Sequence, residues 1–471
     1  MGTAHDNFAI ESDHVLQRRP RWSYWFLMIL ALLSAAIFHI SAGIIFRRPD
    51  PPLRFTDNAR NAPNDPMLAY RHSYANGLPF VTNPPFHMRH SQHKDGERVW
   101  CHFDNPSDTT GYRDSYTYNL TLLSAEFFFF NESPDVSGQV QFDAVSGSAP
   151  AMAGSMGETR ARFSVASHVD GCSANICLLR EEEEGNTELT VVVYPRSTGG
   201  ELPCGANNLY PYPVDIQASI TFVNPMASAK ALNISRVKMN ANNMGVRIND
   251  FQGHAEIHRL DVETVDGDII VDNLHAHLAK FVTKFGNITA TVSAWLASFI
   301  IWGGAGQSMK VNMTVLNDNE EDMSVVQLHQ NGPGRMDVDV VLAGAPQVEL
   351  QKAPYIVWAQ HIDSSARINI TSMPVGADLE VYHRTFGVVD AALSLPLTFE
   401  GPFTLYSRDA TPPGVEVRNA SDPAGRGRNR TVLMEYEGCV LAGEVYWGAR
   451  PRWFGGSVYS ESSATPVKLI L

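Results

Sequence analysis

Between about residue 96 and residue 225, apolar and polar residues alternate in short runs: YTYNLTL (116–122), VSGQVQFDAV (136–145), RARFSVASHV (160–169), ELTVVVYP (188–195) and DIQASITFV (215–223). A period of two sends successive side chains to opposite faces of a strand, so each run predicts a strand with one buried face. Glu181–Glu184, followed by Gly185-Asn186, falls between two such runs and reads as a solvated hairpin tip. Together the runs predict a small antiparallel β-sandwich over 96–228.

The pattern changes at about residue 229. Laid over itself at an offset of 19, Val262-Glu-Thr264-Val-Asp-Gly267-Asp-Ile269 matches Phe281-Val-Thr283-Lys-Phe-Gly286-Asn-Ile288. A glycine opening a strand recurs in Gly387-Val-Val-Asp, Gly401-Pro-Phe-Thr, Gly443-Glu-Val-Tyr and Gly456-Ser-Val-Tyr. Glycine accepts the positive φ of a tight turn, and each rung leaves edges that only another rung satisfies. Parallel stacking of such rungs into a β-solenoid over 229–471 is favoured over an antiparallel meander, which would carry similar glycines. The segment 297–345 departs from the repeat and leaves the continuity of the coil open. Within it, LASFIIW (296–302) is too short to span a bilayer and reads as a buried strand.

A third pattern precedes both. Trp22–Phe46 is 25 residues without a formal charge, bounded by Arg18, Arg19 and Arg21 before and Arg47 and Arg48 after, with Trp22, Tyr24 and Trp25 at one end. That length crosses the hydrocarbon core as a helix, and the aromatic rings suit the headgroup level. No small-residue cleavage site follows Phe46, so the segment reads as an uncleaved signal anchor rather than a signal peptide. Residues 1–21 then form a cytosolic tail, 22–46 contact the lipid bilayer, and the Pro- and Asn-rich stretch 47–95 forms a stalk that cannot sustain a helix. Arginines flank both ends of the span, so their distribution does not set its orientation.

The sequons do bear on orientation. Asn119, Asn131, Asn233, Asn287, Asn312, Asn369, Asn419 and Asn429 each open an N-x-S/T sequence, all beyond the span. They fit a type II protein with a lumenal or extracellular ectodomain. All five cysteines also lie there, where an oxidising compartment allows two disulfides and one spare thiol. The preferred pairing joins Cys172 to Cys177 and Cys101 to Cys204, leaving Cys439 either buried or paired between chains. No C-x-x-C motif is present, which leaves thiol redox and zinc-ribbon chemistry without support.

VETVDGDIIVDNL (262–274), VTKFGNITATVSAW (282–295) and GGSVYSESSATPVKLIL (455–471) resemble the putative-adhesin family, β-solenoid proteins of bacteria and of fungal membrane-anchored proteins. The resemblance covers about 229–471, and the layout of anchor and stalk is similar to the fungal members. It implies a structural repeat with no catalytic residues and an adhesive or surface role.

Charge narrows the field further. The 471 residues carry 36 basic and 50 acidic side chains, a net charge of −14. Residues 1–48 hold five arginines and three acids, which leaves 49–471 at −16. A surface of that sign repels phosphate, and nucleic acid is excluded as a partner.

Catalytic and metal motifs are weak. His254-Ala-Glu256-Ile-His258 lacks the H-E-x-x-H order of a zinc protease, and on a strand its three side chains would share one face. His87, His90 and His93 sit in the stalk. Gly303-Gly304-Ala-Gly306-Gln-Ser308 lacks the Gly-Lys-Ser/Thr ending of a phosphate loop and reads as a turn, and Asn317–Asp322 reads as a solvated acidic loop. Acids of Asp266-Gly267-Asp268 and Asp337-Val-Asp339 could pair as the carboxylates of a carbohydrate-active enzyme if two of them meet across rungs. The favoured expectation is a non-enzymatic ectodomain without cofactor or bound metal, presenting a face to a cell-surface, cell-wall or glycan ligand. The alternative is the enzyme with paired acids on the solenoid face.

Overall fold

The computed structural model describes the strands between residues 91 and 224, and residues 231–471 apart from 252, 304, 318–322, 345–354, 409–412 and 452–455. The expected tail, membrane span and nearly all of the stalk, the stalk histidines, Cys204 and most of the acidic loop lie outside the described residues. Strand accounts for 73% of the described residues and helix for none, so no described helix is long and apolar enough to cross a membrane.

Nine strands precede residue 225: β1 (Ser91–Gln92), β2 (Arg98–His102), β3 (Asp114–Thr121), β4 (Ala125–Asn131), β5 (Val136–Ser146), β6 (Glu158–Ala166), β7 (Cys172–Glu183), β8 (Asn186–Ser197) and β9 (Val214–Asn224). Then come β10 (Leu232–Asn240), β11 (Asn243–Ile248), β12 (Ala255–Thr264), β13 (Ile269–Thr283), β14 (Ile288–Ile301), β15 (Gln307–Asn317), β16 (Ser324–Gly344) and β17 (Tyr355–Ser372). The last eight are β18 (Leu379–Phe386), β19 (Ala391–Ser394), β20 (Gly401–Ser407), β21 (Gly414–Glu416), β22 (Arg430–Glu437), β23 (Val440–Trp447), β24 (Ser457–Ser462) and β25 (Lys468–Ile470). All belong to one hydrogen-bonded sheet.

Most of this sheet is a coil of rungs, each made of two strand segments joined at a corner. One parallel ladder runs from β10 through β12, the second halves of β13 and β14, the first halves of β16 and β17, and on through β18, β24 and β20. Its companion runs from β11 through the first halves of β13 and β14, β15, the second halves of β16 and β17, and on through β19, β25 and β21. Thr264 pairs with Thr283 and Ile269 with Ile288, so the offset of 19 is the distance along the chain from one rung to the next. The ladders pass from β14 through β16 to β17, so the rungs stay stacked through the described residues of 297–344. LASFIIW closes β14, with Phe299, Ile300 and Ile301 buried.

The strands before residue 225 differ from an antiparallel sandwich. β4 and β5 stack in parallel on β10 and β11, and β8 and β9 stack in parallel on β4 and β5, adding two rungs to the coil. Antiparallel pairing is confined to the covering strands: β7, β2 and β1 on β8, and β6 and β3 on β9. Alternation of period two serves parallel and antiparallel neighbours equally, which is why the runs themselves did not distinguish the two. β7 and β8 pair as far as Glu183 opposite Asn186, as expected of a hairpin flanking Glu184-Gly185.

Inward positions hold columns of like side chains. Val262, Phe281, Phe299, Leu328 and Ala359 are successive register partners and all buried, and the rings of Phe281 and Phe299 stack at 5.2 Å. One corner column is mostly polar, although Ile301 stands between Thr283 and Gln330 in it. Asn131, Thr264, Thr283, Gln330, His361 and Ser462 are buried where one strand segment of a rung turns into the other. Asn131 Nδ2 donates to the Val136 carbonyl at 3.1 Å, and Thr264 Oγ1 donates to the Gly267 carbonyl at 2.7 Å. Gln330 Nε2 donates to the Gln307 carbonyl at 3.0 Å, His361 Nδ1 bonds the Ser364 carbonyl at 2.7 Å, and Ser462 Oγ bonds the Thr465 carbonyl. A corner frees backbone carbonyls from the ladder, and an inward polar side chain satisfies them where water does not reach.

The glycines of the repeat act differently from the expectation. Gly267 and Gly286 are absent from the positive-φ residues, whereas Gly387 has φ of 98°. A Cβ on Gly286 would lie 2.1 Å from the Gly267 carbonyl oxygen, and one on Gly267 would lie 1.9 Å from that of Met244. Glycine is required there because consecutive corners pass too close for a side chain.

Candidate functional site

With the interior committed to apolar columns and corner bonds, the chemistry open to ligands lies on the outward positions. The expected trio His254, Glu256 and His258 begins on the loop before β12 and continues along that strand, and stacking enlarges it. Glu256 Oε1 lies 3.2 Å from His277 Nε2 and 3.7 Å from His275 Nε2, both on β13. The His258 and His277 rings are 4.6 Å apart, and His277 stacks on Trp295 of β14 at 4.1 Å and 21°. Three rungs thus build an outward stripe of imidazoles, a carboxylate and an indole. No set of three or more His, Cys, Asp or Glu among the described residues is arranged to hold a metal ion. His275 and His277 were missed in the sequence, although each lies 19 residues beyond Glu256 or His258, the same offset as the repeat.

Of the acids considered for catalysis, Asp268 and Asp339 are tied to neighbouring rungs and Asp337 to its own strand. Asp268 Oδ1 accepts from the Asn287 backbone N–H at 2.7 Å and its Nδ2 at 2.9 Å. Asp337 accepts from Arg335 at 3.1 Å, and Asp339 Oδ1 accepts from Asn369 Nδ2 at 2.7 Å. Asp266 is exposed. Gly303 and Gly306 lie in the turn between β14 and β15, Gly306 with φ of 84°.

A second outward feature has no counterpart in the sequence reading. Arg335, Ser365, Arg367, Asp390, Ala392, Pro466 and Lys468 line an open cleft of about 390 Å³ over β16, β17, β19 and β25. Register explains it: Arg335 stands beside Ser365, and Arg367 beside Ala392, which in turn pairs with Lys468. Short side chains at Ser365 and Ala392 leave a depression between long ones. Arg335 is paired with Asp337, and Lys468 with Glu416 at 2.5 Å, whereas Arg367 is exposed and makes no ion pair among the described residues.

Three buried histidines stand near one corner, and His361 alone of them is in its polar column. His361 Nε2 and His383 Nε2 are 3.0 Å apart, and His383 Nδ1 lies 2.9 Å from Ser460 Oγ. Burial pushes His361 down to about 4 against the pull of its bond to the Ser364 carbonyl, and burial, helped by His361, pushes His383 well below 6.5. His329, tilted against Trp302 at 5.1 Å, is also pushed by burial to about 4. These imidazoles are neutral structural groups at neutral pH.

The sequons fall into distinct environments. Asn233, Asn312, Asn419 and Asn429 are exposed. Asn131 is fully buried in the corner column, so this expected glycosylation site is a core residue of the folded chain. Asn287 and Asn369 are half-buried; the amide of Asn287 bridges Asp268 and the Ser308 backbone N–H, and that of Asn369 donates to Asp339. Asn119 lies on β3.

Of the expected disulfides, Cys101–Cys204 involves a residue outside the described ones, and Cys172–Cys177 does not fit the fold. Cys172 and Cys177 sit on one unbroken strand, β7, five residues apart. Extended chain separates their Cα atoms by about 16 Å, while a disulfide spans at most about 7 Å. Cys101 on β2 is instead the register partner of Cys177. Cys439, at the turn between β22 and β23, is a half-buried free thiol.

No protein-family model matches the chain, and no curated protein does. Among solved structures, a putative cell adhesion protein from Clostridium sporogenes ATCC 15579 aligns with 76% of this chain and 98% of its own at 9% identity. The TM-score of 0.16 leaves a shared fold unestablished. The resemblance to the putative-adhesin family therefore rests on the repeat itself.

Proposed function

We propose that the chain is a single-pass type II membrane glycoprotein whose β-solenoid ectodomain acts by contact rather than catalysis, presenting its outward faces for adhesion at a cell surface or in the secretory lumen. The observation that carries this reading is the division between the two sides of the rungs. Inward positions are closed by apolar columns and corner bonds, Asp268 and Asp339 tie rungs together, and outward positions form a contiguous side-chain stripe across three rungs. A stacked sheet holds such stripes in fixed register, which is what a recognition surface needs. The charge-free run 22–46 supports the anchor, and the exposed sequons support the lumenal side.

The test is the full-length protein in sealed membranes. A protease-protected ectodomain whose mass falls on glycosidase treatment, together with binding of particles carrying the protein to a cell-wall or cell surface, is the expected result. Digestion of residues beyond Phe46 from the cytosolic side would overturn the topology. Protected protein that binds no surface would overturn the adhesive role.

A further inference from the structure

We propose that the cleft over β16, β17, β19 and β25 binds a carboxylated saccharide, with Arg367 and Lys468 holding the carboxylate and Asp390 and Ser365 accepting from its hydroxyls. This deepens the adhesive reading and rests on it for its biological setting, although the binding chemistry stands on the cleft alone.

Three observations lead there. The cleft gathers three cations, Arg335, Arg367 and Lys468, in a chain whose net charge is −14. Arg335 and Lys468 are balanced by Asp337 and Glu416, which leaves Arg367 as the cation an anion would meet on a surface that otherwise repels anions. Arg367 is exposed with no ion-pair partner among the described residues, and its planar guanidinium matches a carboxylate with two parallel hydrogen bonds. Lys468 is half-committed, since its partner Glu416 is itself exposed and can be exchanged for a ligand anion.

Asp390 decides what kind of anion fits. An exposed carboxylate in the same cleft opposes a densely charged ligand such as polyphosphate or a run of acidic residues, yet it accepts well from hydroxyl donors. Ser365 beside it both donates and accepts. A uronic acid sugar carries one carboxylate and several hydroxyls on one ring, and so places each kind of group against its match. The volume of about 390 Å³ lies within the range of small-ligand clefts, which favours a short stretch of sugar rings over a protein surface.

The experiment titrates the full-length detergent-solubilised protein with oligogalacturonate, its fully methyl-esterified form, and a polyglutamate peptide. Oligogalacturonate should bind and weaken as salt is raised, and esterification should abolish binding. Arg367→Ala should weaken binding at least tenfold, while Arg426→Ala, an exposed arginine outside the cleft, leaves it unchanged; the melting temperature of both variants confirms that they fold. Equal binding of the ester, tighter binding of polyglutamate, or an Arg367→Ala protein that binds like the parent would overturn the proposal. These outcomes are read on purified protein, so they are distinguishable from a failure of the membrane topology or of surface adhesion.

Discussion

At the scale of the residue, three buried histidines set how stability responds to acid. His329 and His361 are held near 4, and His383 well below 6.5, because burial disfavours their charged forms. The unfolded chain, with histidines near 6.5, binds more protons between these limits. The stabilisation is therefore complete above about pH 6.5 and is lost as pH falls towards 4, by roughly 3 kcal/mol for a single buried histidine of this kind. Thermal melting at closely spaced pH values should show the midpoint falling across that window, with a shallower fall for a His329→Gln, His361→Gln variant; an equally steep fall in the variant would assign the acid response elsewhere. Side-chain environment also sorts the sequons. In protein from the secretory pathway, glycopeptide mapping should find glycans at Asn233, Asn312, Asn419 and Asn429 and none at Asn131, whose amide is buried against the Val136 carbonyl. A glycan on Asn131 in the folded protein would contradict the corner assignment.

At the scale of the element, a corner is defined by how near the next rung comes. Gly286→Ala should destabilise by about 1–3 kcal/mol, since its Cβ would meet the Gly267 carbonyl at 2.1 Å and backbone has little room to yield. Gly303→Ala, where nothing lies within 4 Å, should change stability little. Denaturant unfolding of the two variants side by side checks the distinction, and comparable losses would show that turn conformation rather than proximity selects glycine. The extended β7 makes a second statement at this scale. Peptide mapping without reduction should find no bond between Cys172 and Cys177, because a strand holds residues five apart far beyond disulfide reach. Recovery of that linked peptide would mean that β7 breaks between them.

At the scale of the whole molecule, rung order departs from chain order at both ends of the coil. β24 and β25 lie between the rung of β18 and β19 and the rung of β20 and β21, although the chain reaches β20 and β21 first. Val381, Val458 and Phe403 are successive register partners, so the C-terminal segment fills the middle of a stack. β23 then closes β20 in the antiparallel sense, with β22 outside it. Deleting residues 457–471 should therefore expose the facing edges of β18 and β20 together and make the chain from about 379 to 447 sensitive to protease, with a broadened melting transition. A truncated protein that melts and resists protease like the parent would show that this rung contributes little. The same insertion brings Lys468 within the cleft formed by Arg335 and Arg367.

The strand-forming runs, the offset of 19 and the strand character of LASFIIW up to Ile301 were legible in the sequence, because side-chain alternation and a repeated corner are local properties of the chain. The corner polar residues were nearly legible: Thr264 and Thr283 occupy equivalent places in the repeat, and Pro134 after Ser133 sets the Asn131 sequon apart, although it does not reveal that Asn131 is buried. Parallel or antiparallel sense, the order of rungs and the membership of the outward stripe and cleft were decided only by the tertiary structure. Alternation assigns each residue to a face but not to a neighbour, and the neighbours of Arg367 come from strands up to about a hundred residues away in the chain. The sequence thus determined which side of a rung the alternating apolar residues occupy, and the stacking determined which residues stand together and which polar ones are buried.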